Sequence, residues 1–133
     1  MSSAARLVAG ITLLTVPTII YGGLTILGVL TSGTAGMPGS PKLNATQYAL
    51  FRAGHAHAGV LVILSLVVQI LLDRARLPPG LAWSARLAAP LAAICVSGGF
   101  FGLAYVPALR ALLYAGALLV AYATLATGVG LLR

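Results

Sequence analysis

The sequence predicts an all-α membrane protein, an up-down-up-down bundle of four transmembrane helices. Three observations predict it. Of the 133 residues 60% are hydrophobic and only 7% charged, with a mean hydropathy of +1.07, whereas a soluble domain covers its surface with about a quarter charged residues. Four apolar stretches, approximately Ala5 to Leu30, Gln47 to Leu72, Ala82 to Ala104 and Leu109 to Leu132, approach or exceed the roughly 20 residues that cross a hydrocarbon core. Most of the connections are short, which makes consecutive spans antiparallel. Little chain lies outside these stretches, so residues 1–133 read as one transmembrane domain whose solvent is the lipid bilayer.

The first span is far longer than the roughly 7–15 residues of a signal-peptide core, so it reads as a retained helix. Its Thr15, Thr18, Gly22 and Thr25 form a stripe of small residues suited to helix packing, and Pro17 predicts a kink. Thr31 to Ala45, rich in Gly, Ser, Thr and Pro, reads as the one long external loop. It ends in the sequon Asn44-Ala45-Thr46. Seven Arg against one Lys, with abundant Ala and Gly, is the composition of a GC-rich bacterial genome, so glycosylation is not expected. Leu77-Pro78-Pro79-Gly80 makes a sharp turn into span three, where Pro90 predicts a second kink. Cys95, Gly98, Gly102 and Tyr105 form a second small-residue stripe there, with a GxxxG match. Cys95 is the single cysteine and reads as a small buried hydrophobe. Tyr105-Val106-Pro107 marks the turn into span four.

A faint repeat relates the two halves. Ala5-Arg6-Leu7 matches Ala85-Arg86-Leu87, Tyr21-Gly22-Gly23 matches Ser97-Gly98-Gly99, and Phe51-Arg52-Ala53 matches Leu109-Arg110-Ala111. His57-Ala58-Gly59 then corresponds to Tyr114-Ala115-Gly116. Either the spans form two tandem hairpins, or low-complexity Ala/Gly/Leu sequence has produced chance matches.

The net charge of +7 does not imply a nucleic-acid partner, because the basic residues stand singly near the ends of apolar runs. Alternating ends place Arg6, Arg74, Arg76, Arg86 and Arg133 on one side, beside Asp73, and Lys42, Arg52 and Arg110 on the other. The excess of Arg marks the first side as cytoplasmic, with both termini inside a bacterial inner membrane.

Span two holds both histidines of the chain, in Arg52-Ala53-Gly54-His55-Ala56-His57-Ala58-Gly59. An ionisable group inside a span is costly and is a functional candidate by default. At about 100° per residue, positions two apart point to nearly opposite sides of a helix, so one ion cannot take both rings. The i, i+4 spacing of a helical zinc motif is absent. The His55 face continues through Arg52, Gly59, Val62, Leu66, Gln69 and Asp73 and should form a polar seam toward the bundle interior. The His57 face, with Leu50, Ala53, Leu61, Leu64 and Val68, is otherwise apolar, so His57 needs a partner from a neighbouring helix, another subunit or a cofactor. Arg52 either anchors to lipid phosphates or binds an anion such as a haem propionate.

Opposed histidines on one helix suit large cofactors that take an axial ligand from one side. The HxH on an apolar helix resembles the histidine helices of the haem-copper oxidase and nitric oxide reductase superfamily. The whole chain resembles small bacterial four-helix membrane proteins of no assigned activity that carry HxH followed by Gly on span two, here His55, His57 and Gly59. The superfamily's remaining copper and haem ligands have no counterpart, so the resemblance implies haem b ligation by His55 or His57 and not oxygen reduction. A second axial ligand would come from His57 of another copy, from Met37 or from a tyrosine. Three functions compete: a haem b protein for electron transfer or sensing, a proton or ion pathway along the His55 seam, and an accessory or assembly subunit of a larger membrane complex. A purely structural reading stands beside these, in which each histidine donates a hydrogen bond to a carbonyl on the next helix. Catalysis by side chains alone is not expected, because no nucleophile–base pair is recognisable and Asp73 is the single acidic side chain.

Overall fold

The computed structural model describes residues 1–32 and 42–133, and among these it contains helices and no strand. The helices are α1 (Ser3–Leu14), α2 (Val16–Ser32), α3 (Ala45–Leu72), α4 (Pro79–Leu103) and α5 (Arg110–Leu132), with a short 3-10 turn at Pro107–Leu109. Together α1 and α2 make the first of four spans that are long and apolar enough to cross a membrane. Most of the expected external loop, including Met37, lies outside the described residues.

The first span is interrupted at Thr15, two residues before Pro17, although Thr15 keeps right-handed helical backbone. Pro17 has no N–H to give the carbonyl one turn earlier. The chain tightens instead: the N–H groups of Thr15 and Thr18 bond to the carbonyls of Thr12 and Thr15 at 3.1 and 3.0 Å. The threonine hydroxyls reach the same two carbonyls at 2.7 and 2.6 Å. Pro90, by contrast, sits within an unbroken α4.

Helix α3 begins at a capping box. Asn44 Oδ1 accepts from the N–H of Gln47 at 2.9 Å, and Gln47 Oε1 accepts from the N–H of Asn44 at 3.0 Å, satisfying two donors that a helix start leaves free. The sequon asparagine is therefore a helix cap. Gln47 also donates to the carbonyl of Ala104 at 3.0 Å, joining the start of α3 to the end of α4.

Spans two to four form the tight part of the bundle. Ala85, Ala88, Ala89, Ala92 and Ala93 are buried and give α4 a smooth face against α3 and α5. A Cβ on Gly116 of α5 would stand 2.8 Å from the backbone N of Val96, and one on Gly99 of α4 would stand 2.9 Å from the backbone N of Leu113. Backbone cannot yield cheaply, so these two glycines set the α4–α5 distance. Of the expected stripe, Cys95 packs against Gly116 and Gly102 against the Leu109 side chain, whereas a Cβ at Gly98 would meet nothing nearer than Leu112 at 3.8 Å and the approach to backbone falls at Gly99. The first span packs loosely: 6% of its most apolar stretch is buried, against 44% for α4.

Both termini and the α3–α4 turn share one end of the bundle. Arg86, expected among the free basic residues of the ends, is buried there at 6% exposure. Its guanidinium donates to Asp73 Oδ1 at 2.6 Å and to the carbonyl of Gln69 at 3.1 Å. Gln69, fully buried, donates back to the carbonyl of Arg86 at 2.9 Å. Ser2 completes the cluster, its N–H and hydroxyl donating to Asp73 at 2.6 and 2.7 Å. Burial raises the Asp73 carboxyl, but the Ser2 hydrogen bonds and the Arg86 guanidinium outweigh it and hold the group at about 2 instead of 3.8.

The sign of the pH effect follows. A depressed carboxyl contributes stability that is complete above its unfolded value of 3.8 and lost as the pH falls to about 2. Thermal unfolding in detergent should therefore weaken over that window in the wild type, and Asp73→Asn should remove that part of the acid dependence. Gln69→Leu should cost about 1–3 kcal/mol at neutral pH, because the buried carbonyl of Arg86 loses its donor.

Candidate functional site

Gly54 organises the histidine helix. A Cβ there would lie 3.1 Å from the Phe100 side chain and 3.2 Å from the ring of Phe101, so its missing side chain lets α3 rest directly on two aromatic residues of α4. Phe51, one turn earlier, extends the contact to Phe101 and Tyr105, with ring centroids 5.7 and 6.0 Å apart. Helical geometry then sends His55 and His57 to opposite sides of this ridge. His55 turns toward the first span on the Phe101 side, and His57 turns toward α5 on the Phe100 side.

The two rings have different surroundings. His57 is exposed, and its Nδ1 lies 2.7 Å from the carbonyl of Ala53 on its own helix. A carbonyl only accepts, so Nδ1 carries the proton and Nε2 is left without a hydrogen bond among the described residues. The expected external partner for Nδ1 is thus replaced by the backbone one turn earlier. Phe100 fixes the ring from the side, with centroids 4.8 Å apart and planes inclined at 33°. His57 lines a groove of about 420 Å³ between α3, α4 and α5, with Leu61, Val96, Phe100, Tyr114, Ala117 and Val120 among its other walls.

His55 is half-buried and makes no hydrogen bond among the described residues. Its ring lies against Gly23 of α2, where a Cβ would stand 2.9 Å from Cε1 and 3.0 Å from Nε2. The remainder of the ring borders a cavity of about 380 Å³ between the interrupted first span, α3 and α4.

The polar seam divides into two ends. His55 opens on the cavity, Gln69 and Asp73 are engaged with Arg86 and Ser2, and Val62 and Leu66 lie between them. Gly59 has open space where a side chain would be. Arg52 is exposed at the end of the bundle away from the termini, on the His55 side of the helix, with no ion pair among the described residues. No protein-family model, curated protein or solved structure matches this chain. The reading of the site therefore rests on its own geometry.

Sequence reasoning missed Arg110 and the burial of Arg86. Arg86 had a visible signal, since it stands two turns inside α4 rather than at its end. Arg110 had none, because its significance depends on which helix face lies beside His57.

The closeness of Gly23 to His55 is open to test. Gly23→Ala should displace the His55 ring and shift its imidazole resonances in nitrogen-15 spectra, leaving those of His57 in place. Gly22→Ala, whose new methyl meets nothing within 4 Å, should move them much less. Unchanged His55 resonances in Gly23→Ala would show that the ring does not rest on α2.

Proposed function

We propose that the chain is a small haem-binding protein of the bacterial inner membrane, with His57 as an axial ligand to haem b. The observation that carries this is the setting of His57: Nδ1 is held by the Ala53 carbonyl, which leaves Nε2 uncommitted on a residue that lines an apolar groove. A metal-binding histidine commonly has this arrangement, one nitrogen donating to a carbonyl so that the other keeps its lone pair for the metal.

The groove suits an apolar macrocycle. Leu61, Val96, Ala117 and Val120 supply an apolar floor, with Phe100 and Tyr114 as aromatic neighbours. Arg110 begins α5 one turn before Tyr114 and is exposed at the end of the bundle away from the termini, on the same stripe of the helix. It is the better candidate to pair with a propionate, since Arg52 lies on the His55 side. His55 is the poorer ligand, because its Nε2 faces the backbone of α2. When bound, haem b supplies one-electron transfer or gas binding at its iron. A second ligand would have to come from another copy of the chain, whose own His57 would meet the group from the exposed side of the groove.

Protein expressed with a haem precursor and purified in mild detergent should show a Soret band. His57→Ala should abolish it, His55→Ala should retain it, and Arg110→Gln should weaken haem retention by about 3- to 30-fold, the worth of one partly desolvated ion pair. A colourless wild-type preparation, or loss of the band in His55→Ala alone, would overturn the assignment.

A further inference from the structure

The cavity on the other side of α3 has a composition of its own. We propose that it binds the ring of a lipid-soluble quinone, held by hydrogen bonds from His55 and Ser97. This is a second site on the opposite face of the helix, and it does not depend on haem at His57.

Two buried hydroxyls have no hydrogen-bond partner among the described residues, those of Ser65 and Ser97. Their settings differ. Ser65 borders a void of about 10 Å³, at most the size of one water molecule's probe sphere. Ser97 is 8% exposed and borders the cavity of about 380 Å³ that His55 also lines, within the range of small-molecule sites. A buried hydroxyl is costly without a partner, and the protein offers Ser97 none.

The other hydroxyls in the cavity wall are already committed. Thr12, Thr15 and Thr18 donate to the carbonyls of Val8, Thr12 and Thr15 at 2.8, 2.7 and 2.6 Å. His55 on α3 and Ser97 on α4 therefore remain as the side chains of the chamber wall whose donors have no partner among the described residues, one from each of two adjacent helices. The rest of the wall is mainly apolar, with Ile19, Val62, Ala93 and Phe101 among it. Neither Lys nor Arg lines it, so a charged lipid headgroup or a fatty-acid carboxylate finds no counter-ion. A neutral flat ring carrying two carbonyl acceptors matches both donors, and its hydrocarbon tail matches the walls. Access is from the bilayer, where Ile11, Thr18 and Ile94 are lining residues exposed at the seam between the first span and α4.

The test uses the full chain in phosphatidylcholine nanodiscs, with a short-tailed quinone analogue titrated by calorimetry and a photoreactive azidoquinone mapped by mass spectrometry. Saturable binding is expected, with crosslinks on the first span, α3 and α4. Ser97→Ala and His55→Leu should each weaken binding by about 3- to 10-fold, the worth of one neutral hydrogen bond. Gly22→Leu places its side chain in the cavity, because a Cβ at Gly22 meets nothing within 4 Å. It should abolish saturable binding while the unfolding temperature holds. His57→Ala should leave the affinity unchanged. The proposal is overturned by binding no greater than that of empty nanodiscs, by equal displacement with a saturated fatty acid, or by an affinity that all three cavity variants leave untouched.

Discussion

Taking a guanidinium out of water is expensive, and Arg86 does so at a position two turns inside α4. Its attraction to one carboxylate would not by itself offset the desolvation. What makes the burial tolerable is that every element around it contributes: Asp73 and the Gln69 carbonyl accept from Arg86, and Gln69 donates back to the α4 backbone. The exchange between Gln69 and Arg86 is reciprocal, so it fixes the register of α3 on α4 as well as their distance. Ser2 then uses the remaining acceptor capacity of Asp73 and brings the start of the first span to the same point. One cluster thus joins three of the four spans at the end that carries both termini.

From that fixed register the opposite end follows. Helix α3 is set on α4 at Gln69 and again at Gly54, about 22 Å apart at 1.5 Å per residue, and the contact at Gly54 is with Phe100 and Phe101. A helix held at two points along its length cannot rotate about its axis. The directions of His55 and His57 are therefore consequences of packing elsewhere in the bundle. A side chain at Gly54 would lift α3 from the aromatic pair and loosen both.

Much of this is legible in the residues. The four spans follow from hydropathy alone, because nothing but lipid can surround so uncharged a surface, and the opposed directions of the histidines follow from helix periodicity. The interruption at Thr15 is not legible as such. Pro17 announces a lost hydrogen bond, but not that the tightened turn falls at Thr15, where the N–H groups and hydroxyls of Thr15 and Thr18 bond the carbonyls of Thr12 and Thr15. The burial of Arg86 has a weak signal in its position. Its partners are harder to see, since Asp73 and Gln69 become neighbours of Arg86 only once the turn between α3 and α4 has closed. The packing glycine falls at Gly99 instead of Gly98 for a similar reason: periodicity defines a stripe, and the crossing geometry of two helices chooses the residue on it.

The two sides of α3 also differ mechanically. On the His57 side, Gly99 and Gly116 bring α4 and α5 into backbone contact, so the groove has rigid walls and the imidazole is held by both a carbonyl and a ring. On the His55 side, the first span is mostly lipid-facing and its own helix is interrupted beside the cavity. The hydrogen bonds that tie its two ends, from Tyr48 to the Val29 carbonyl and from Ser2 to Asp73, leave its middle to pack by contact alone. A rigid groove favours a ligand that must be held in one geometry, as an axial ligand demands. A chamber with one loosely packed wall favours a ligand that enters from and returns to the bilayer. The loose packing of the first span is therefore consistent with the two histidines serving different partners, even though they stand two residues apart on a single helix.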